Sequence, residues 1–391
     1  MRWRVLAASV LMQMCLGGVY AWSVFVPLLK NTFGFSTAQT QIIFGLTIIT
    51  FSIAMIPAGL LQDRYGPKII GAIGGLLYGT GFLIGSFETG SFHEILIGIG
   101  LISGAGIGFG YVCPLATCIK WFPEHKGLVT GISVAGFGGA AIILTAIVKY
   151  FSGNGASIQF IFRFLASVYG SVIFLSALFL KIPAQKPEIS TQYRLSSVKF
   201  FFEPAFWALF IGMFSGTFSG LMIIGNLNPI GKTFNFQCAS ASAGISFFAA
   251  GNAVGRILWG RIFDAIGRRS IPLSLIALSI SSASFLFNLN SVLIFYIISF
   301  IIGFSFGSCF VLYAAQVAVS FGSNRLGTIY PYIFLSYGFS AVTGPPLGGW
   351  IHDISGEYFY AIISASALCV IGAFIFHLLT RNYCKSDFGK I

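Results

Sequence analysis

Long apolar runs alternate with short polar interruptions along almost the whole chain. A helix needs about 20 apolar residues to cross a bilayer. By that measure the pattern predicts twelve spans. Six lie at 5–28, 40–62, 69–87, 92–118, 126–150 and 157–181. Six more lie at 203–229, 239–262, 270–288, 291–318, 327–351 and 357–380. Between the sixes, residues 182–202 turn polar, with Lys186, Glu188, Arg194 and Lys199. The expected class is an all-α polytopic membrane protein. Its expected organisation is a six-helix bundle over 1–181, a linker over 182–202 and a second six-helix bundle over 203–391.

One polar phrase occurs in both halves. The first copy runs Gly59-Leu-Leu-Gln-Asp63-Arg64-Tyr-Gly66-Pro-Lys68. The second, 201 residues later, runs Gly260-Arg-Ile-Phe-Asp264-Ala-Ile-Gly267-Arg268-Arg269. Each copy of this G-x-x-x-D-x-x-G frame closes an apolar run. A repeated turn in a polytopic chain points to two structural repeats that face one another. Carriers built this way hold their substrate between the repeats near the bilayer midplane.

Composition excludes a water-soluble protein. Only 8% of the 391 residues are charged, against 56% hydrophobic, with a mean hydropathy of +0.89; soluble chains carry about 25% charged residues. The net charge of +12 follows from how Lys and Arg set orientation, and no basic run is dense enough for a nucleic-acid site. With the N-terminus in the cytoplasm, 17 of the 22 basic residues fall in cytoplasmic segments; Lys30, Lys149, Arg163, Lys232 and Arg256 are the remainder. Both termini and the linker are therefore expected in the cytoplasm of a multi-pass cell-membrane protein. The start, Met1-Arg2-Trp3-Arg4, resembles a signal peptide, but its apolar run is long enough to span and is expected to stay. The seven cysteines lack C-x-x-C spacing, so neither a disulfide framework nor a metal site is expected, and no cofactor.

Span interiors hold no Asp or Glu, yet Arg256 lies eight residues before Asp264, which closes its span. At ~1.5 Å per residue that is roughly 12 Å into a core about 30 Å thick. An arginine at that depth costs on the order of 2.5–3.5 kcal/mol, so it is expected to face a cavity, where its planar fork suits a carboxylate. A structural pairing with helix carbonyls is the plainer alternative. Asn252, one turn away on the same face, either orients the guanidinium, binds substrate or joins two helices. Tyr20, Trp22, Tyr111, Tyr313 and Tyr337 are candidate cavity walls, although in a chain with 16% aromatics each is as easily packing. Gln13, the only strongly polar side chain early in the first span, is a further candidate to reach the cavity, and Arg163 is expected to snorkel at the outer end of the sixth.

The two G-x-x-x-D-x-x-G copies, the twelve spans and the central linker resemble the major facilitator superfamily. That resemblance implies two bundles around a central cavity, alternating access, and a latch carried by Asp63 and Asp264. Narrower matches resemble the oxalate–formate antiporter and monocarboxylate transporter group. They are Gly17-Gly18-Val19-Tyr20-Ala21-Trp22-Ser23-Val24-Phe25, Lys120-Trp121-Phe122-Pro123-Glu124-His125-Lys126-Gly127-Leu128, Gly251-Asn252-Ala253-Val254-Gly255-Arg256 and Gly344-Pro345-Pro346-Leu347-Gly348-Gly349-Trp350. These relatives move small organic anions. The oxalate carrier adds a lysine in its eleventh span, where this chain has Tyr337 in Leu335-Ser336-Tyr337-Gly338. One fixed cation suits a monocarboxylate such as formate, pyruvate or lactate. The resemblance further implies a monomer in the lipid bilayer. Because arginine does not discharge by losing a proton, anion exchange is favoured, with a counter-anion or a proton travelling alongside the substrate. An exporter of amphipathic compounds is the alternative, since Gly344-Pro345-Pro346-Leu347-Gly348-Gly349 resembles the end of an antiporter motif. A membrane enzyme lacks the paired acids or activated nucleophile it would need, and a non-transporting sensor lacks an added soluble domain.

Overall fold

The computed structural model describes residues 1–183, 199–234, 236, 238–287 and 291–381. Most of the expected linker, with Lys186, Glu188 and Arg194, lies outside them. Among the described residues there is no strand. Twelve long helices account for the fold: α1 (Arg2–Phe33), α2 (Thr37–Tyr65), α3 (Pro67–Gly85), α4 (Phe92–Trp121), α5 (Lys126–Gly153) and α6 (Ile158–Ala177). They continue with α7 (Pro204–Thr233), α8 (Cys238–Ile266), α9 (Ser270–Ala283), α10 (Val292–Ser320), α11 (Leu326–Ser355) and α12 (Phe359–Thr380). With no water to bond, a backbone in lipid must satisfy itself, and helices do so within each segment.

The helix ends follow from local chemistry. At the start of α2, Ser36 Oγ accepts from the Gln39 N–H at 3.1 Å while Gln39 Oε1 accepts from the Ser36 N–H at 2.8 Å, a capping box. The last glycine of each repeated phrase makes the turn out of a span: Gly66 has φ +87° and Gly267 φ +59°, a backbone that L side chains resist. Pro67 then opens α3 at the position where a missing N–H is harmless. Four helices are not uniform; α4 widens to π geometry over Leu96–Ser103 and α6 over Leu165–Tyr169. α1 tightens to 3₁₀ geometry over Gly17–Val24, and α10 does so over Ser308–Phe310.

Equivalent pairs pack in each set of six. α1 lies on α5 as α7 lies on α11, α2 on α4 as α8 on α10, and α3 on α6 as α9 on α12. The sets then meet along two equivalent seams, α5 against α8 and α2 against α11. The first glycine of the phrase explains the closeness of each seam. A Cβ on Gly59 would overlap the Gly327 carbonyl oxygen, and one on Gly260 would overlap that of Gly127. Small residues let helix backbones approach where lipid offers no hydrophobic drive.

Burial along the seam helices changes near mid-span. Between the phrase end and Gly138 or Gly338, α5 and α11 are buried on most faces. Beyond that level only one face stays covered, Ala140, Leu144 and Val148 on α5 and Ser340, Gly344 and Gly348 on α11. The two sets of helices are thus closed on each other at the phrase end and part toward the other.

Candidate functional site

Arg256 is 0% exposed and reaches from α8 toward α5. Its Nε donates to Asn252 Oδ1 at 3.1 Å, one turn earlier on the same helix. Its Nη1 donates to the backbone carbonyl of Val134 on α5 at 2.9 Å. Its Nη2 is buried with no hydrogen-bond partner. Phe310 lies 4.4 Å and Phe137 5.8 Å from the guanidinium carbon, measured to the ring centres, so aromatic faces share the charge. Gly138 makes room for the side chain; a Cβ there would sit 3.1 Å from Nε.

Two tyrosines close over this group from different sets of helices. The hydroxyls of Tyr20 on α1 and Tyr337 on α11 are 3.0 Å apart. Tyr20 packs edge-on to Phe137 at 5.3 Å, and Tyr337 edge-on to Phe310 at 5.3 Å, so the pair rests on the two rings that flank Arg256. Tyr20 and Phe310 both sit in the 3₁₀ breaks of their helices, as in carriers whose interrupted helices line the site. On the phrase side Phe51, Tyr111 and Phe334 form a plug, with ring centres 5.2–5.3 Å apart. The hydroxyls of Tyr111 and Tyr330 are buried there without a partner.

At the phrase end the two seams are fastened by carboxylates. Asp264 accepts from the N–H groups of Gly127 at 2.7 Å and Leu128 at 2.8 Å, the first turn of α5. The positive end of a helix dipole favours a carboxylate there. Asp63 instead accepts from the Thr328 hydroxyl at 2.7 Å, at the start of α11. Arg268 donates to the Thr380 carbonyl at 2.9 Å and so caps α12, while Arg64, Lys68 and Arg269 are exposed.

The fold brings Arg256, Asn252, Tyr20, Tyr111 and Tyr337 into one cluster. It does not bring Trp22 and Tyr313 there. Trp22 is buried inside the first six helices, donating from Nε1 to the Thr40 carbonyl at 2.9 Å. Tyr313 is buried with Gly212 against its ring, inside the last six. Both face the interior of their own set because the faces of α1 and α10 turned toward Arg256 carry Tyr20 and Phe310 instead. Gln13 likewise turns inward, donating to the Tyr111 carbonyl at 3.2 Å. Arg163 is half-exposed and pairs with Glu88 at 3.5 Å. The site also takes in Val134, Phe137, Phe310 and Phe334, none of them among the candidates read from the sequence. The flanking glycines of Gly136-Phe137-Gly138 were a signal of close approach for the second; nothing marked the others.

Arg256, expected to face an open cavity, is instead wholly buried. A small cavity of about 20 Å³ lies within the first six helices, lined by Gly18, Trp22, Thr47, Tyr78 and Ser103. A groove of about 430 Å³ runs between α3 and α6. Neither touches the guanidinium, which is held under the tyrosine pair.

Comparison with known proteins agrees with this architecture. A family model described as Major Facilitator Superfamily matches residues 7–342. An uncharacterized MFS-type transporter of Escherichia coli (strain K12), YhjX, is 27% identical over 87% of this chain and 86% of its own length. The oxalate:formate antiporter of Oxalobacter formigenes is 26% identical over 90% and 85%. Among solved structures, the proton:xylose symporter XylE superposes with a TM-score of 0.74 at 12% identity, covering 98% of this chain and 95% of that one; at that identity the likeness concerns the fold.

Proposed function

Because the chain belongs to the major facilitator superfamily, whose members are membrane transporters and not enzymes, we propose that it is a secondary carrier of small monocarboxylates such as formate, pyruvate or lactate, with Arg256 as the anion site. The observation that carries this reading is the uncommitted Nη2 of a fully buried guanidinium, placed between the two sets of helices. A buried cation without an acidic partner needs a negative one, and a carboxylate presents two oxygens to a planar fork. Tyr20 and Tyr337 supply hydroxyl donors at the same place. No second basic residue stands in α11 between Leu326 and Ser355 save His352 near its far end, so one carboxylate is neutralised and a dicarboxylate leaves a charge over. The oxalate:formate antiporter among the relatives carries anions of this class by its name.

With the N-terminus in the cytoplasm, the phrase end is the cytoplasmic end, and the conformation described is closed on that side. The halves 1–181 and 203–391 rock about Arg256 as rigid bodies joined by residues 182–202. Bound anion neutralises the guanidinium during the swing, which favours exchange over movement of an empty carrier. The test is uptake of labelled formate, pyruvate, lactate and oxalate into proteoliposomes by wild type and Arg256→Gln. Uptake of the monocarboxylates above oxalate, abolished by the substitution, is expected. Uptake of all four untouched by the substitution refutes the assignment.

A further inference from the structure

We infer that Arg256 is also a clasp between the two halves, released by the anion it binds, and that Gly138 is the residue that sets it. The inference rests on the anion-site reading above.

The guanidinium belongs to α8 in the second half, yet its shortest bond, 2.9 Å, goes to the Val134 carbonyl on α5 in the first. That oxygen is not an ordinary acceptor on offer; it lies within a helix and already faces its own i+4 amide. Gly138, one turn along α5, leaves room for that reach: a Cβ there would stand 3.1, 3.3 and 3.4 Å from Nε, Cδ and Cζ. The clasp lies at the level of the Tyr20–Tyr337 bond, where the seams pass from closed to parted.

A charged donor makes a hydrogen bond roughly twice as strong as a neutral one. An empty carrier therefore holds its halves together through an uncompensated cation on a neutral carbonyl. An arriving carboxylate takes Nη2 and the adjoining edge of Nη1, turns the fork toward itself and cancels the charge that strengthened the Val134 bond. Binding and release are then one event, and the empty carrier stays shut. This gives a physical origin for exchange that charge neutralisation alone leaves open: the site is both the load and the lock.

Gly138→Ala crowds Nε, Cδ and Cζ, so the guanidinium shifts by a few tenths of an ångström and its bond to Val134 is stretched and weakened while the charge is kept. Gly139→Ala is the matched control on the same turn, since a Cβ at Gly139 meets nothing within 4 Å. Spin labels at Glu124→Cys and Asn324→Cys, both exposed at the phrase end of opposite halves, report its opening. Cys15, Cys113, Cys118, Cys309 and Cys369 are buried from the reagent, and Cys238 and Cys384 are replaced by serine. Without anion, Gly138→Ala is expected to raise the open-to-closed ratio about tenfold, which is about 1.4 kcal/mol, with Gly139→Ala as wild type. In proteoliposomes, Gly138→Ala raises efflux of labelled pyruvate into anion-free buffer relative to exchange against pyruvate. A Gly138→Ala distance distribution matching that of Gly139→Ala overturns the clasp. Pyruvate that fails to open the wild type, with Gly138→Ala open on its own, overturns the anion reading and leaves the clasp standing as a structural tie. If Gly138→Ala does not fold, Arg256→Lys takes its place: a single ammonium keeps the charge but does not span Asn252 and Val134 together. The same distances are read without anion, and a distribution equal to wild type overturns the clasp.

Discussion

The two carboxylates of the repeated phrase look interchangeable in sequence but are held differently, and that difference is measurable. Asp264 takes two backbone N–H groups at 2.7 and 2.8 Å; Asp63 takes the Thr328 hydroxyl at 2.7 Å, with the Gln62 side-chain amide beside it and, among the described residues, no backbone N–H of the opposing helix. In Asp264→Asn one oxygen remains to accept, and the new NH₂ faces the second N–H. One bond falls from a charged to a neutral value, a loss of about 1 kcal/mol, and the other disappears, a loss of about 1.5–3 kcal/mol. The Asp264 carboxylate is partly in water, which reduces the sum to about 2 kcal/mol, or roughly 30-fold. In Asp63→Asn the amide oxygen still accepts from Thr328, and the loss is about 1 kcal/mol, roughly fivefold. Amide hydrogen exchange reads these local openings directly. In Asp264→Asn, protection over the first turn of α5, around Gly127 and Leu128, is expected to fall several-fold further than protection at the start of α11 falls in Asp63→Asn. Equal losses, or a greater loss at α11, would refute the assignment of unequal latches.

Three further outcomes follow from the same geometry. Arg256→Lys keeps the charge but loses the fork that serves Asn252 and Val134 together, so half-saturation for pyruvate in exchange assays should rise about tenfold or more; an unchanged value contradicts a bidentate site. Tyr337→Phe removes one neutral hydrogen bond, worth about 0.5–1.5 kcal/mol, so apparent pyruvate affinity should move by no more than about tenfold while the thermal midpoint stays within a few degrees; complete loss of transport would place Tyr337 at the centre of binding instead. Gly260→Ala, whose Cβ overlaps the Gly127 carbonyl oxygen, should lower thermal stability clearly, whereas Gly45→Ala, with open space around it, should change it by less than ~0.5 kcal/mol; similar midpoints in a detergent melt would show that the seam is looser than its glycines indicate.

The helices and their repeat were legible because lipid leaves a chain few options. Apolar length fixed where spans run, and the phrase at Gly59 and Gly260 disclosed the repeat through chemistry that each position demands: a close approach, a carboxylate for an opposing helix start, and a positive φ at Gly66 and Gly267. Arg256 was legible because a charge has no cheap place inside a span. Its surroundings were not. Val134 contributes only a backbone carbonyl, which no sequence signal distinguishes, and Phe137, Phe310 and Phe334 are three of 43 phenylalanines. Tyr20 and Tyr313 were both candidate cavity walls; a 3₁₀ segment that turns one toward α11 and a helix that turns the other toward Gly212 separate them.

A charge inside a span must be answered, and that compulsion is why a sequence discloses it. Which neutral groups answer it while the carrier is empty stays concealed, because carbonyls and aromatic faces are available everywhere. The resting partners of Arg256 — Asn252, Val134 and two rings — satisfy part of its demand and leave Nη2 over. A fully satisfied arginine would hold the halves shut against any visitor, and a wholly unsatisfied one would be too costly to bury. On the proposed reading, partial satisfaction is the condition under which an anion both binds and releases the structure, so variants that add a neutral acceptor for Nη2 should tighten the closed state and slow exchange together. Ala253→Asn, beside Asn252 on α8, tests this without cancelling the charge: a slower exchange with a longer-lived closed state is expected, and faster exchange would show that the free nitrogen is not what limits the empty carrier.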